Sequence, residues 1–271
     1  MKPSGAFHIG YQPLQMYPHS VDGKISYREV IPALALQPYV FCYWELKTVA
    51  PLEKDFHYQV VADGCMDFFM ALDQPRHKFL MGYSRSHSRF SLGTSFHYLG
   101  VRFLPLALPM IFRLNAHELK EQVLPLIEVL PKIARLADAV IHPATSLEQL
   151  KGHFDRAIGQ YIEASDFNPD PRVLNAVAQI YATRGALPIE QLDTGLGARQ
   201  MRRLFREYLG GSAKSLAMIV RFQNAMRFLA QAPDYGFKYL KQDLGYTDQA
   251  HFCREFKAFA GASPRKLKTN P

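Results

Sequence analysis

The sequence predicts an α+β chain of two unlike domains, a β-rich barrel or sandwich closed by helices and then an all-α domain. Three observations carry this. The hydrophobic pattern changes from strand-like to helical spacing near Pro131, a proline- and acid-rich stretch interrupts the chain at residues 164–171, and the part beyond it contains an internal repeat. A length of 271 residues fits, because domains average roughly 150 residues. The boundaries read as 1–163 for the first domain, 164–171 for a linker and 172–271 for the second domain.

Taken in order, residues 39–46, 57–62, 66–72, 78–83 and 96–104 are aromatic and β-branched runs divided by Gly, Pro and Asp, the pattern of short strands between turns. The apolar run at 104–112 is cut by Pro105 and Pro109 and is core or the start of a helix, far short of the roughly 20 residues that span a bilayer. Ile133, Leu136, Ala137 and Val140, then Leu147, Leu150, Phe154, Ile158, Tyr161 and Ile162, recur at helical spacing and supply two closing helices. The stretch ASDFNPDP at 164–171 breaks helices and exposes backbone. After it, Val173, Val177, Ile180 and Tyr181 mark one amphipathic helix, and Ile219, Phe222, Met226 and Leu229 line a long one over 215–231.

Composition excludes several classes. With 48% hydrophobic and 21% charged residues the chain is an ordinary globular one, neither collagen-like nor largely disordered. Cys42, Cys65 and Cys253 are odd in number and form no CxxC pair, so neither a disulfide framework nor a cysteine zinc site is expected. A reducing, cytoplasmic location without membrane contact is expected, since the N-terminus lacks a signal-like apolar run. Charge is placed unevenly. From Arg172 onward there are 16 Lys and Arg against 7 Asp and Glu, whereas the preceding residues hold 16 against 17. Such asymmetry suits a polyanionic partner of the second domain.

Within that basic half, Arg203, Phe205, Gly210, Ser212 and Leu216 recur 51 residues later as Arg254, Phe256, Gly261, Ser263 and Leu267. In each copy a glycine turn, at Gly195 or Gly245, precedes a short helix with an apolar stripe: Met201, Leu204, Phe205 and Tyr208, then Phe252, Phe256 and Phe259. The opposite face of the first helix carries Arg199, Arg202, Arg203 and Arg206 beside Gln200, more cation than a merely solvated face needs. The second presents Gln249, Ala250, Cys253, Arg254 and Lys257, a mixture suited to base edges: amides for adenine, guanidinium for guanine or phosphate, small groups for a thymine methyl. Glycine fits the left-handed cap that ends both helices, and Ser263 with Pro264 restarts a helix. A turn followed by such a helix is the helix-turn-helix, and two copies held by one long helix could enter successive major grooves without a dimer.

The segment LGYTDQAHFCREFKAFAGASPRKLK at 244–268 resembles the signature of the AraC/XylS family of bacterial transcriptional regulators. The first copy, GLGARQMRRLFREYLGGSAKSL at 195–216, is similar but looser. Gly197 stands where the family usually has a capping Ser, and Ala213 where it often has Pro. Residues 188–194 are short for the usual first helix, and Lys241 stands where the family keeps Ala. VADGCMDFFMAL at 61–72 and GVRFLPLALPMIF at 100–112 resemble a β-rich sensory domain found in a subgroup of the family. The resemblance implies promoter DNA as partner, RNA polymerase as a second partner, a small-molecule effector or dimerisation through the first domain, and no cofactor.

Candidates in the first domain follow from that resemblance. Tyr58, Asp63 and Arg102 are the polar orienters expected for an effector, and Phe41, Tyr43, Trp44, Tyr58, Phe68 and Phe69 supply either a cavity lining or ordinary core. Two other classes stand beside the regulator: a DNA-binding adaptor without effector, and a metal-dependent cupin-like enzyme fused to a DNA-binding module. The enzyme would need His57, His97, Asp63 and Cys65 to converge on a metal, yet no HxH pair occurs, nor a P-loop, HExxH or GxSxG. Structural or surface roles are the simpler reading of those four residues, and no catalytic residue or metal ligand is assigned.

Overall fold

The computed structural model describes residues 11–16, 23–74, 76–164, 168–231, 240, 244–264 and 266. The N-terminal domain is built on a six-stranded antiparallel sheet of β1 (Ile25–Val30), β2 (Val40–Thr48), β4 (Met66–Ala71), β5 (Lys78–Met81), β7 (His97–Phe103) and β8 (Val123–Pro125), in the order β1-β2-β7-β4-β5-β8. A ribbon of β3 (His57–Val60) and β6 (Ser88–Ser91) forms the second layer. The five expected strands are present. The three additional ones, β1, β6 and β8, are polar or short, and only pairing makes them strands.

Alternation along the large sheet gives it two different faces. Tyr43, Phe68, Leu80, Val101 and Phe103 pack toward the helices, whereas Cys42, Trp44 and Leu46 meet Tyr58 and Phe96 in a separate apolar layer. The aromatic candidates therefore do not line one cavity: Tyr43 and Phe68 lie in the first cluster and Trp44, Tyr58 and Phe69 belong to the second. Trp44 lies over Gly100, where a Cβ would come within 2.3 Å of the indole. Any side chain at 100 would displace the ring.

The helices of this domain are α1 (Ala107–Phe112), α2 (Ala116–Leu119), α3 (Leu126–Val129), α4 (Pro131–Val140) and α5 (Leu147–Ala164). Proline starts α4, and Ile133 and Ala137 form its buried stripe. Leu147, Leu150, Phe154 and Ile158 do the same for α5. Residues 168–170 lead into α6 (Pro171–Ala182), which Asp170 caps by accepting the Arg172 N–H at 2.9 Å; residues 165–167 of the expected linker lie outside the described residues. Among the described residues the α-helices beyond α6 with assigned bounds are α7 (Ala198–Leu209), α8 (Ala213–Gln231) and α9 (Gln249–Ala260).

Between the two halves the core is continuous, and one cluster of buried side chains runs from Val40 and Phe68 through Phe154 to Phe222 and Phe256. Residues 11–16 form a strap in this seam. The Leu14 N–H donates to Gln223 Oε1 at 2.7 Å, and Gln223 Nε2 donates to Leu14 O at 3.1 Å and Ala62 O at 2.8 Å. Tyr11 stacks on Tyr181 with ring centroids 4.5 Å apart.

Candidate nucleic-acid interface

The two repeat helices coincide at the offset read from sequence: α7 begins at Ala198 and α9 at Gln249, and they end at Leu209 and Ala260, each 51 residues apart. Their turns match as well. Gly195 and Gly245 both have φ of +67°, the left-handed region that glycine enters without a Cβ penalty. Gly210 (φ +81°) and Gly261 (φ +73°) terminate the helices, with their N–H groups donating to Arg206 O and Lys257 O. The N-termini differ. Asp248 caps α9 by accepting the His251 N–H at 2.7 Å, whereas Gly197 offers α7 no side-chain cap.

The buried stripes are as expected, with Phe205 and Phe256 fully buried, Met201, Leu204, Phe252 and Phe259 nearly so, and Tyr208 half-buried. Phe256 sits edge-on to Phe222 of α8 at 5.1 Å between ring centroids. α8 starts two residues earlier than the periodicity indicated, because Ser212 and Ser215 cap it reciprocally: Ser212 N–H donates to Ser215 Oγ at 2.8 Å and Ser215 N–H to Ser212 Oγ at 3.1 Å. At 19 residues and 1.5 Å each, α8 is about 28 Å long. In front of α7 the short segment 188–194 forms one turn of 3-10 helix, Ile189–Gln191, in place of a full first helix. Between α8 and Gly245 only Leu240 and Leu244 are described, both buried; Lys241 and Leu267 lie outside the described residues.

Among the candidate contact residues, Arg199, Arg202, Arg203, Arg206, Gln249, Ala250, Arg254 and Lys257 are exposed. Gln200 is half-buried, and so is Cys253, which packs against the core. That is less outward than the sequence pattern suggested for Cys253, since its position borders the apolar stripe. Arg203 is not free: its Nη1 lies 3.3 Å from Glu207 Oε2, one helical turn on, an exposed pair worth little. Sequence reasoning missed a buried network behind α9. Arg221 Nη2 of α8 donates to Glu255 Oε2 at 3.0 Å, Tyr246 OH donates to Glu255 Oε1 at 2.8 Å, and the Arg221 guanidinium lies 4.5 Å above the Tyr246 ring. It ties the turn, the second repeat helix and α8 together. Burial and the Glu255 carboxylate push the Tyr246 hydroxyl well above its usual range, so it stays a donor.

Residues 193–270 match a family model described as a helix-turn-helix domain. The C-terminal part of the chain is a helix-turn-helix domain. Residues 28–125 match a family described as a domain of unknown function, DUF6597, which spans both segments that resemble the sensory domain. No curated protein matches the chain significantly. Among solved structures the chain is similar to ToxT from Vibrio cholerae O395, at 11% identity over 91% of this chain and 96% of that one, with a TM-score of 0.39. A 1.65 Å structure of ToxT gives 13% identity, coverage of 90% and 97%, and a TM-score of 0.41. ToxT bound to an unsaturated fatty acid gives 11%, 90% and 94%, and 0.37.

The helix-turn-helix domain meets the N-terminal domain along α7 and α9. Gly210 lies against Ala116 O, where a Cβ would come to 2.6 Å, and the Ala62 N–H donates to Phe259 O at 3.1 Å and His87 to Ala258 O at 3.2 Å. The effector candidates are buried near this seam. Arg102 Nε is 3.1 Å from Asp67 Oδ1, its partner across β4 and β7, and 3.8 Å from Asp63 Oδ2. Asp63 is already engaged, accepting from Gln15 Nε2 at 2.7 Å and the Cys65 N–H at 2.9 Å. Arg102 Nη1 is buried without a hydrogen-bond partner among the described residues. Tyr58 is buried in the layer between the sheets. Burial pushes the Asp67 carboxyl up to about 6, with Arg102 pulling the other way.

The four residues of the metal alternative do not come together as a ligand set. His57 is exposed on β3, and His97 Nε2 is 2.8 Å from Glu45 Oε1. Among the described residues no three His, Cys, Asp or Glu side chains form a metal-holding group. No described helix is long and apolar enough to cross a membrane.

Proposed function

We propose that this chain is a sequence-specific DNA-binding transcriptional regulator whose N-terminal domain adjusts DNA affinity in response to a small molecule or to dimerisation. The observation that carries the reading is the pair of helices in register 51 residues apart, each with a buried aromatic face and an exposed, cation-bearing one. Arg199, Gln200, Arg202 and Arg203 near the start of α7, and Gln249, Ala250, Cys253 and Arg254 on α9, are the side chains assigned to bases. Arg206 and Lys257 are assigned to phosphate. RNA polymerase is the partner such a promoter-bound protein would engage, and the cytoplasm is where it would act. Of Tyr58, Asp63 and Arg102, Arg102 has a donor that no described residue uses, which supports it over the other two as the group that would meet an effector.

Selection of genomic fragments by the full chain tests the reading, followed by titration of the enriched fragment against salt and a scrambled competitor. Enrichment of an asymmetric site with a steep salt slope and a large specificity ratio is expected. Binding that ignores sequence would remove the regulator.

A further inference from the structure

Cations of both domains meet in the seam beside α7. A groove of about 650 Å³ there is lined by Arg202, Arg203 and Arg206 on one side and by Arg85, His117 and Lys120 of the N-terminal domain on the other. A second groove, of about 690 Å³, runs along α9 past His251 and Arg254, and Arg85 lines it too. One arginine of the N-terminal domain thus borders both repeat helices. Acids are few: Arg85 Nε lies 3.1 Å from Glu121 Oε1, and Arg203 pairs with Glu207. Arg202, Arg206 and Lys120 make no ion pair among the described residues. The close approach of Gly210 to Ala116 holds the backbone of α2 against the end of α7, so these cations share one groove. Fixed cations lining one groove repel, and an anion between them relieves the repulsion.

Geometry indicates which anion. A helix with its side chains is about 10–12 Å across and the major groove about 12 Å wide, so a helix seated in it has the phosphates of both rims against its flanks. The elements beside α7, namely α2 with Lys120 and the loop bearing Arg85, stand on one such flank. We propose that the phosphate backbone of the bound duplex enters this seam and is held by Arg85, His117 and Lys120, so that the N-terminal domain is itself part of the DNA-binding surface. The proposal rests on the DNA-binding reading above and adds a consequence. DNA bridges the domains, so binding tightens their docking, and anything that loosens the docking weakens DNA binding by the same factor.

The test uses the full chain, the enriched fragment and anisotropy titrations at 50 and 200 mM salt. Each phosphate contact contributes a slope of about 0.9 in log affinity against log salt. The double variant Arg85→Ala/Lys120→Ala should therefore shrink the ratio of the two affinities about 12-fold. Arg85→Lys/Lys120→Arg should keep the wild-type ratio. Lys132→Ala/Arg135→Ala, which removes equal charge from exposed positions of α4 outside the groove, should keep it as well. Glu121→Gln, which removes an acid facing the phosphates, should strengthen binding. A groove variant within twofold of the wild type, or an α4 variant that falls as far, overturns the proposal while leaving DNA binding intact. A wild type without salt-dependent binding overturns the underlying reading and this proposal with it.

Discussion

Replacing Glu255 with Ala should unfold the second repeat unit before anything else, and the magnitude follows from its network. The Glu255 side chain is 3% exposed and that of Arg221 16%. Removing the carboxylate leaves a mostly buried guanidinium without its counter-charge, a loss of about 3–5 kcal/mol, and takes the acceptor from the Tyr246 hydroxyl, about 1 kcal/mol more. Arg221 keeps some water and its place over the Tyr246 ring, which moderates the cost. About 3–4 kcal/mol remains, a large share of the 5–15 kcal/mol that holds a typical domain together. Urea unfolding followed at two wavelengths reads this separately from the rest, because the single tryptophan, Trp44, lies in the N-terminal domain while far-ultraviolet dichroism weighs the helices. The dichroic transition should move to lower urea, with an early phase that the Trp44 fluorescence does not share. The double variant Arg221→Met/Glu255→Leu removes both charges and should recover most of the loss. A single variant within about 1 kcal/mol of the wild type, or a double variant as unstable as the single, would refute the network as the tie between α9 and α8.

Two further outcomes follow from the same geometry. Arg203→Ala or Arg254→Ala should each cost roughly 1–3 kcal/mol of DNA affinity and relax specificity at one base position if the side chain grips a guanine; unchanged binding to the enriched fragment removes that residue from the base-reading set. Asp67 holds its proton more tightly folded than unfolded, with its carboxyl near 6 rather than 3.8. Its contribution to stability is therefore greatest below pH 4 and falls away as pH rises to 6, by up to about 3 kcal/mol. Asp67→Asn, which leaves Arg102 facing Asp63 alone, should flatten the urea midpoint over that pH range, and a profile as steep as the wild type would show that Asp67 is not the group responsible.

What the sequence revealed and what it concealed divide along sequence distance. Helix stripes and caps are local, so Phe205, Gly210, Phe256 and Gly261 could be placed from spacing alone, and the repeat doubled each signal. Strands rich in aromatics, such as β2 and β4, were legible for the same reason. β6, with only Phe90 as a large apolar residue, became a strand by pairing with β3, which no local pattern reports. The Arg102–Asp67 pair depends on the register of β4 against β7 across 35 residues. Glu255 follows the exposed Arg254 directly and owes its burial to Arg221, 34 residues earlier. Arginines on a helix face advertise a polyanion, but which cations of the N-terminal domain face them is a property of docking alone.

That docking also sets the size of any regulatory effect. Gln223 is fully buried, and its amide holds the strap and the β3–β4 connection through Leu14 and Ala62. Arg227 Nη2 adds a bond to Gln12 O at 2.6 Å. An arrangement with the domains shifted leaves the buried Gln223 amide and its partners unpaired at about 1–3 kcal/mol each, besides opening the shared core, while the exposed Arg227 bond adds little. Two states separated by several such bonds differ by an amount comparable to the roughly 5.5 kcal/mol that carries a population from one in a hundred to ninety-nine. An effector that moves the domains must therefore bind the shifted arrangement better by that much. One that binds both arrangements equally changes nothing, however tightly it binds. DNA held across the seam by Arg85 and Lys120 works in the opposite direction, adding its own binding energy to the docked state, so effector and operator compete through the same few hydrogen bonds.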